Sequence, residues 1–139
     1  MFFIGFPLLL IPFAVFNIFA FLMDGFDFRA VVFSVGMLSG ARWEVSAGDL
    51  LLLLSIVLLF VEILKATRFG MRSIVDHMLS LLLFIAMLIE FIMVARAANS
   101  TFFILMMISF VDVVAGFSVS IRTAQRDLSV EGTGHVPSV

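Results

Sequence analysis

The sequence predicts an all-α membrane protein, a four-transmembrane-helix bundle with a short β-hairpin in its first, outer loop. Three observations carry this reading. First, 63% of the 139 residues are hydrophobic and 13% are charged, with a mean hydropathy of +1.28. A soluble domain is about 45–50% apolar and about 25% charged, and a chain this small has too much surface to hide such an excess in a core. Second, four apolar runs approach or exceed the roughly 20 residues that a membrane helix needs. Third, the segment between the first two runs is β-branched and aromatic, with a Ser-Gly break at its middle.

The first span is placed at residues 2–23, because nothing from Met1 to Met23 is charged. A cleavable signal would carry a basic start and a small-residue cleavage site, so this run is read as a retained helix. Pro12 falls inside it and is expected to kink it. In "FRAVVFSVGMLSGARWEVS" (28–46) the Ser39-Gly40 break predicts a two-residue hairpin turn between strands Val31–Leu38 and Ala41–Val45. A short interfacial helix is the competing reading of the same residues.

The second span is placed at 48–67. Ser46-Ala47-Gly48-Asp49 has the form of a capping box, while Lys65 and Arg68 suit the negative C-terminal end. The third span is 74–97, opened by a second such box, Ser73-Ile74-Val75-Asp76, in which Asp76 is the third helical residue. Asn99-Ser100 breaks the chain before a fourth span at 101–123. Residues 124–139, polar with Gly and Pro, are expected to form a flexible tail.

Several function classes are excluded at this level. A net charge of −2 offers no footprint for nucleic acid, and the absence of cysteine rules out thiol and disulfide chemistry. The 18 Phe residues, against one Trp and no Tyr, are expected between helices or against acyl chains. No nucleotide-binding, metalloprotease or nucleophile-elbow motif occurs, so neither an enzyme nor a cofactor is expected.

The intramembrane polar residues are the site candidates, since such groups face a bundle interior or water. On the fourth span Ser109, Asp112, Gly116, Ser120 and Thr123 share one side. Gly116 and Ser120 form a small-xxx-small pair for close helix packing. Asn17, Ser55, Glu90 and Ser109 fall at comparable depths and could share one layer, with the Asn17 amide available to the Glu90 carboxyl. Glu62 and Lys65 can pair at i, i+3. His77 beside Asp76 and Glu62 raises a metal site, but one His with scattered acids has no metal-selecting spacing. Each buried acid has a structural reading, fixing helix packing, and a coupling reading, carrying a proton or cation.

The residues "SGARWEVSAGDLLLLL", "FVEILKATR", "SIVDHMLS" and "STFFILMMISFVDVVAGFSVSI" together resemble a family of small, uncharacterised four-span proteins of bacterial inner membranes. The resemblance covers roughly residues 38–121. It implies the architecture and an inner-membrane address, and it transfers no catalytic or binding residue.

Orientation follows from the basic residues. Lys65, Arg68, Arg72, Arg122 and Arg126 fall on one side, and Arg29, Arg42 and Arg96 on the other, which predicts cytoplasmic termini. The expected partners are the bilayer and another membrane protein or a second copy. Two functions are carried forward: an accessory, scaffold or assembly subunit, and a small proton- or ion-coupled transporter working as an oligomer.

Overall fold

A computed structural model describes residues 6–66 and 71–134. The chain forms four helices and one two-stranded antiparallel sheet, in the order α1 (Leu10–Leu22), β1 (Val31–Gly36), β2 (Arg42–Ser46), α2 (Ala47–Ala66), α3 (Met71–Met93) and α4 (Ser100–Gly134), with a 3₁₀ turn at Ala95–Ala97. Stretches of α2 (Ala47–Lys65), α3 (Ile74–Met93) and α4 (Ser100–Val119) are long and apolar enough to cross a membrane.

Helix α4 is the centre of the bundle. Its buried residues Phe102, Leu105, Met106, Ser109, Asp112, Val113 and Gly116 recur at helical spacing, giving one stripe that packs against both α2 and α3. The hairpin-side half of the core is aromatic. Phe16 stacks on Phe28 at 4.7 Å and meets Phe102 at 4.8 Å, with Phe13 and Phe91 also against Phe102. The opposite half is polar: Glu62, Asp76, His77, Ser80 and Asp112 are all buried there.

Helix α1 differs from the expected first span. Its 13 residues extend only about 20 Å at about 1.5 Å per residue, short of the roughly 30 Å hydrocarbon core. Among the described residues the helix starts at Leu10, with Phe6–Leu9 forming the turn that leads into it, and positions 2–5 of the expected span lie outside the described residues. Pro12 lies within the first turn of α1, where no kink is required. The carbonyl that a residue-12 N–H would reach, Leu8 O, is taken by Ile11 N–H at 3.0 Å, so the proline's missing donor costs nothing.

The 28–46 segment is a hairpin and not an interfacial helix: Val35 pairs with Trp43 and Gly36 with Arg42, with an irregularity between Val31 and Phe33. The turn is longer than the expected two residues. Gly40 N–H donates to Met37 O at 3.0 Å and Met37 N–H to Ala41 O at 2.8 Å, with Gly40 at φ +90°. Only a residue without Cβ takes that left-handed position freely.

Helix starts are the most local features. Ser46 N–H donates to Asp49 Oδ2 at 3.0 Å and Asp49 N–H to Ser46 Oγ at 3.2 Å, a reciprocal capping box. Asn99 Oδ1 accepts from Phe102 N–H at 2.8 Å and so caps α4. The second expected box does not sit at a helix start, because α3 already begins at Met71 and Asp76 lies inside it. At the other end, α4 continues past Thr123 to Gly134, so residues 124–134 are helical instead of a loose tail. No proline interrupts that stretch, and its Ala, Gln, Arg, Leu and Glu favour a helix.

Candidate functional site

The polar half of the core begins with how α1 is held. A helix leaves N–H groups free at its start and carbonyls free at its end, and in apolar surroundings each must find a partner. At the start of α1, Glu62 Oε1 accepts from Leu8 N–H at 2.7 Å. Lys65 Nζ donates to Phe6 O at 2.8 Å and to the same Glu62 oxygen at 3.2 Å. At the far end, Arg96 Nη1 donates to Ala20 O at 2.8 Å, and its guanidinium lies over the Phe21 ring, 5.4 Å from the centroid. An acid at the positive end and a base at the negative end complement the helix dipole. Both come from other elements of the chain, Glu62 from α2 and Arg96 from the turn after α3. The short α1 is thus clamped by charge at both ends.

Next to the clamp, three helices converge. Ser80 of α3 lies beside the Asp112 carboxyl of α4, which is within electrostatic reach of Glu62 and Lys65. His77 of α3 is within reach of Asp76, Glu62 and Lys65, and its ring packs on Phe117 at 5.5 Å. Gly116 makes room for that imidazole. A Cβ there would stand 2.7 Å from His77 Nδ1, so the small residue serves a ring and not a backbone approach. Asp76 Oδ1 and Asp112 Oδ2 are buried with no hydrogen-bond partner among the described residues. Among those residues, no group of three or more His, Asp or Glu side chains is placed to hold a metal ion.

The four residues expected to share one layer are only partly together. The Asn17 amide lies near the Glu90 carboxyl, but its hydrogen bond runs back to Phe13 O on its own helix at 2.9 Å. Ser55 turns back on its own helix, donating to Leu51 O at 2.8 Å. Ser109 Oγ and Glu90 Oε2 are buried without a partner among the described residues. Ser120 lies outside the residues whose side chains are described. Asp112 of the fourth span lies within electrostatic reach of Glu62 of the second.

Sequence reasoning missed two residues of this framework. Arg96 served there only as a topology marker, and its proximity to α1 is a tertiary fact with no local signal. Gly48 lets α2 and α4 approach: a Cβ there would meet Thr101 Oγ1 at 2.8 Å and Phe28 O at 3.1 Å. Its place inside a capping box concealed this. A second polar feature, a cavity of about 550 Å³ at the hairpin end, is lined by Asp27, Arg29, Asp49, Arg96 and Asn99 among others.

No family model, curated protein or solved structure matches the chain.

Proposed function

We propose that this chain is a multi-pass protein of a bacterial inner membrane, acting as an accessory, scaffold or assembly subunit that binds other membrane proteins, or its own copies, through helix packing. In this reading α2, α3 and α4 cross the bilayer. Helix α1 and its lead-in turn run between the level of Lys65 and that of Arg96, which completes a four-pass arrangement. The hairpin and Arg96 face the periplasm, and the excess of basic residues at the other end faces the cytoplasm.

One observation carries the choice of an architectural role. The acid best placed for coupling, Glu62, is committed to holding α1 through Leu8 N–H and Lys65, so its charge fixes how helices meet. The bundle also leaves most of α2 and α3 available to neighbours. Only 22% of the α2 window and 28% of the α3 window are buried within the chain, against 44% for α4.

A second reading, a small proton- or ion-coupled transporter, is favoured by the Asp76 and Asp112 oxygens of the same cluster that have no partner among the described residues. Intramembrane acids mark such pathways. The test uses Asp112→Asn and Glu90→Gln in proteoliposomes containing a trapped pH dye, alongside mild-detergent purification at native abundance. The architectural reading expects no proton flux from either the parent or the variants, and a stoichiometric membrane partner or homo-oligomer that the variants weaken. A flux in the parent that both variants abolish without loss of folding overturns it in favour of transport.

A further inference from the structure

Most of the hairpin packs on little else among the described residues, only Val45 at its base being buried. Beyond its own strand partner its contacts are chiefly with the start of α2, yet its two faces differ sharply. Directly paired residues share a face, and alternate residues along a strand do too. Val35 pairs with Trp43 and Phe33 with Val45, so these four lie on one side, with Met37 continuing the row. Ser34 pairs with Glu44 and Gly36 with Arg42 on the other side, where Arg42 Nη2 donates to Ser34 Oγ at 2.8 Å. One face is apolar and the other polar. Phe33, Val35, Met37 and Trp43 are nonetheless exposed, and Leu38 at the tip is entirely so, at 109%.

The base of the hairpin is rigidly tied to α2. Ala47 N–H donates to Ala30 O at 3.1 Å and Gly48 N–H to Phe28 O at 2.8 Å. Strand β2 ends at Ser46, where α2's capping box begins, so no linker intervenes. Whatever surface α2 emerges from, the hairpin lies beside it. We propose that the hairpin is a membrane-interface element, lying on the bilayer surface with Phe33, Val35, Met37, Leu38 and Trp43 among the lipid headgroups and upper acyl chains. This rests on the reading above that α2 crosses the bilayer.

Three further features fit lipid as the occupant. The tip closes its own backbone through the Gly40 to Met37 and Met37 to Ala41 bonds, so burying it at an interface strands few polar groups. Trp, the interfacial aromatic, occurs once in the chain, and it is on this face. The apolar face is five side chains, against roughly 20–30 residues a side in a stable protein interface. Residues 28–46 hold two bases and one acid, so zwitterionic lipid is sufficient.

The single Trp makes the test direct. The full chain is reconstituted in phosphatidylcholine vesicles, with lipids brominated either near the glycerol or deep in the acyl chain, and Trp43 emission is recorded with and without iodide. The proposal expects blue-shifted emission, quenched most by shallow bromines and little by iodide. Val35→Asp with Leu38→Asp should reverse that order while leaving the chain integrated. Quenching by iodide alone places the hairpin in water and overturns the proposal. Protection from both quenchers, which would mean a protein or a second copy covers it, overturns it equally. In either case the chain stays in the vesicles through alkaline carbonate, and the spans stand. Extraction by carbonate instead removes the span reading and this proposal together.

Discussion

Glu62→Ala is the perturbation most closely tied to the architecture. The Glu62 side chain is 5% exposed and the Lys65 side chain 12%. Removal of the Glu62 carboxylate strands Leu8 N–H, which donates to it at 2.7 Å, and leaves Lys65 with Phe6 O as its acceptor among the described residues. An unsatisfied buried donor costs about 1–3 kcal/mol, and breaking a buried pair by removing one partner costs about 3–5 kcal/mol. The two overlap because one oxygen serves both. Polar contacts between membrane helices also measure low, since the unfolded chain in the membrane finds other partners. The expected loss is therefore about 2–4 kcal/mol. Glu62→Gln keeps an acceptor for Leu8 and should lose less. Lys65→Met in the Glu62→Ala background should recover part of the loss, because the stranded cation is gone. The assay is SDS-driven unfolding in mixed micelles followed by far-ultraviolet circular dichroism. A Glu62→Ala change within about 0.5 kcal/mol of the parent, the range of an ordinary surface substitution, or strict additivity with Lys65→Met, refutes the clamp.

Arg96→Met removes the cap at the other end of α1 and should cost about 1–2 kcal/mol in the same assay. It should add independently to Glu62→Ala, since the two act at opposite helix ends. Gly116→Ala places a Cβ 2.7 Å from His77 Nδ1 and should cost about 1–3 kcal/mol. Most of that cost should vanish when measured in a His77→Ala background. Gly40→Val puts a β-branched residue at φ +90° and should cost about 1–2 kcal/mol. That loss should be read as faster hydrogen exchange at the hairpin amides, with no change in α3 or α4.

The features legible in the sequence are those fixed within a few residues. The Ser46–Asp49 box, the break at Gly40 and the apolar lengths of α2, α3 and the first part of α4 each need only local chemistry. The features missed depend on what is adjacent in space. Residues 2–23 read as one span, kinked at Pro12, because no charge breaks them, but α1 covers only Leu10–Leu22, and its ends are held by Glu62 and Arg96, distant in sequence. Asp76 has the spacing of a cap, yet α3 starts a turn earlier and carries it inside. Asp112 and Glu62 share no motif, and only the packing of α4 between α2 and α3 puts them in one cluster. The helix beyond Thr123 was hidden by polarity, which separates water from lipid but not helix from loop.

The central claim is that α2, α3 and α4 traverse a bilayer in alternating directions and hold the charged cluster between them. The chain has no cysteine, so a single introduced thiol reports one position. Ser39→Cys at the hairpin and Gln125→Cys on the far part of α4 are labelled in intact, sealed vesicles with a membrane-impermeant maleimide. Three crossings put these two positions on opposite faces, so one should react before permeabilisation and the other only after it. Reaction of both from the same side contradicts the account.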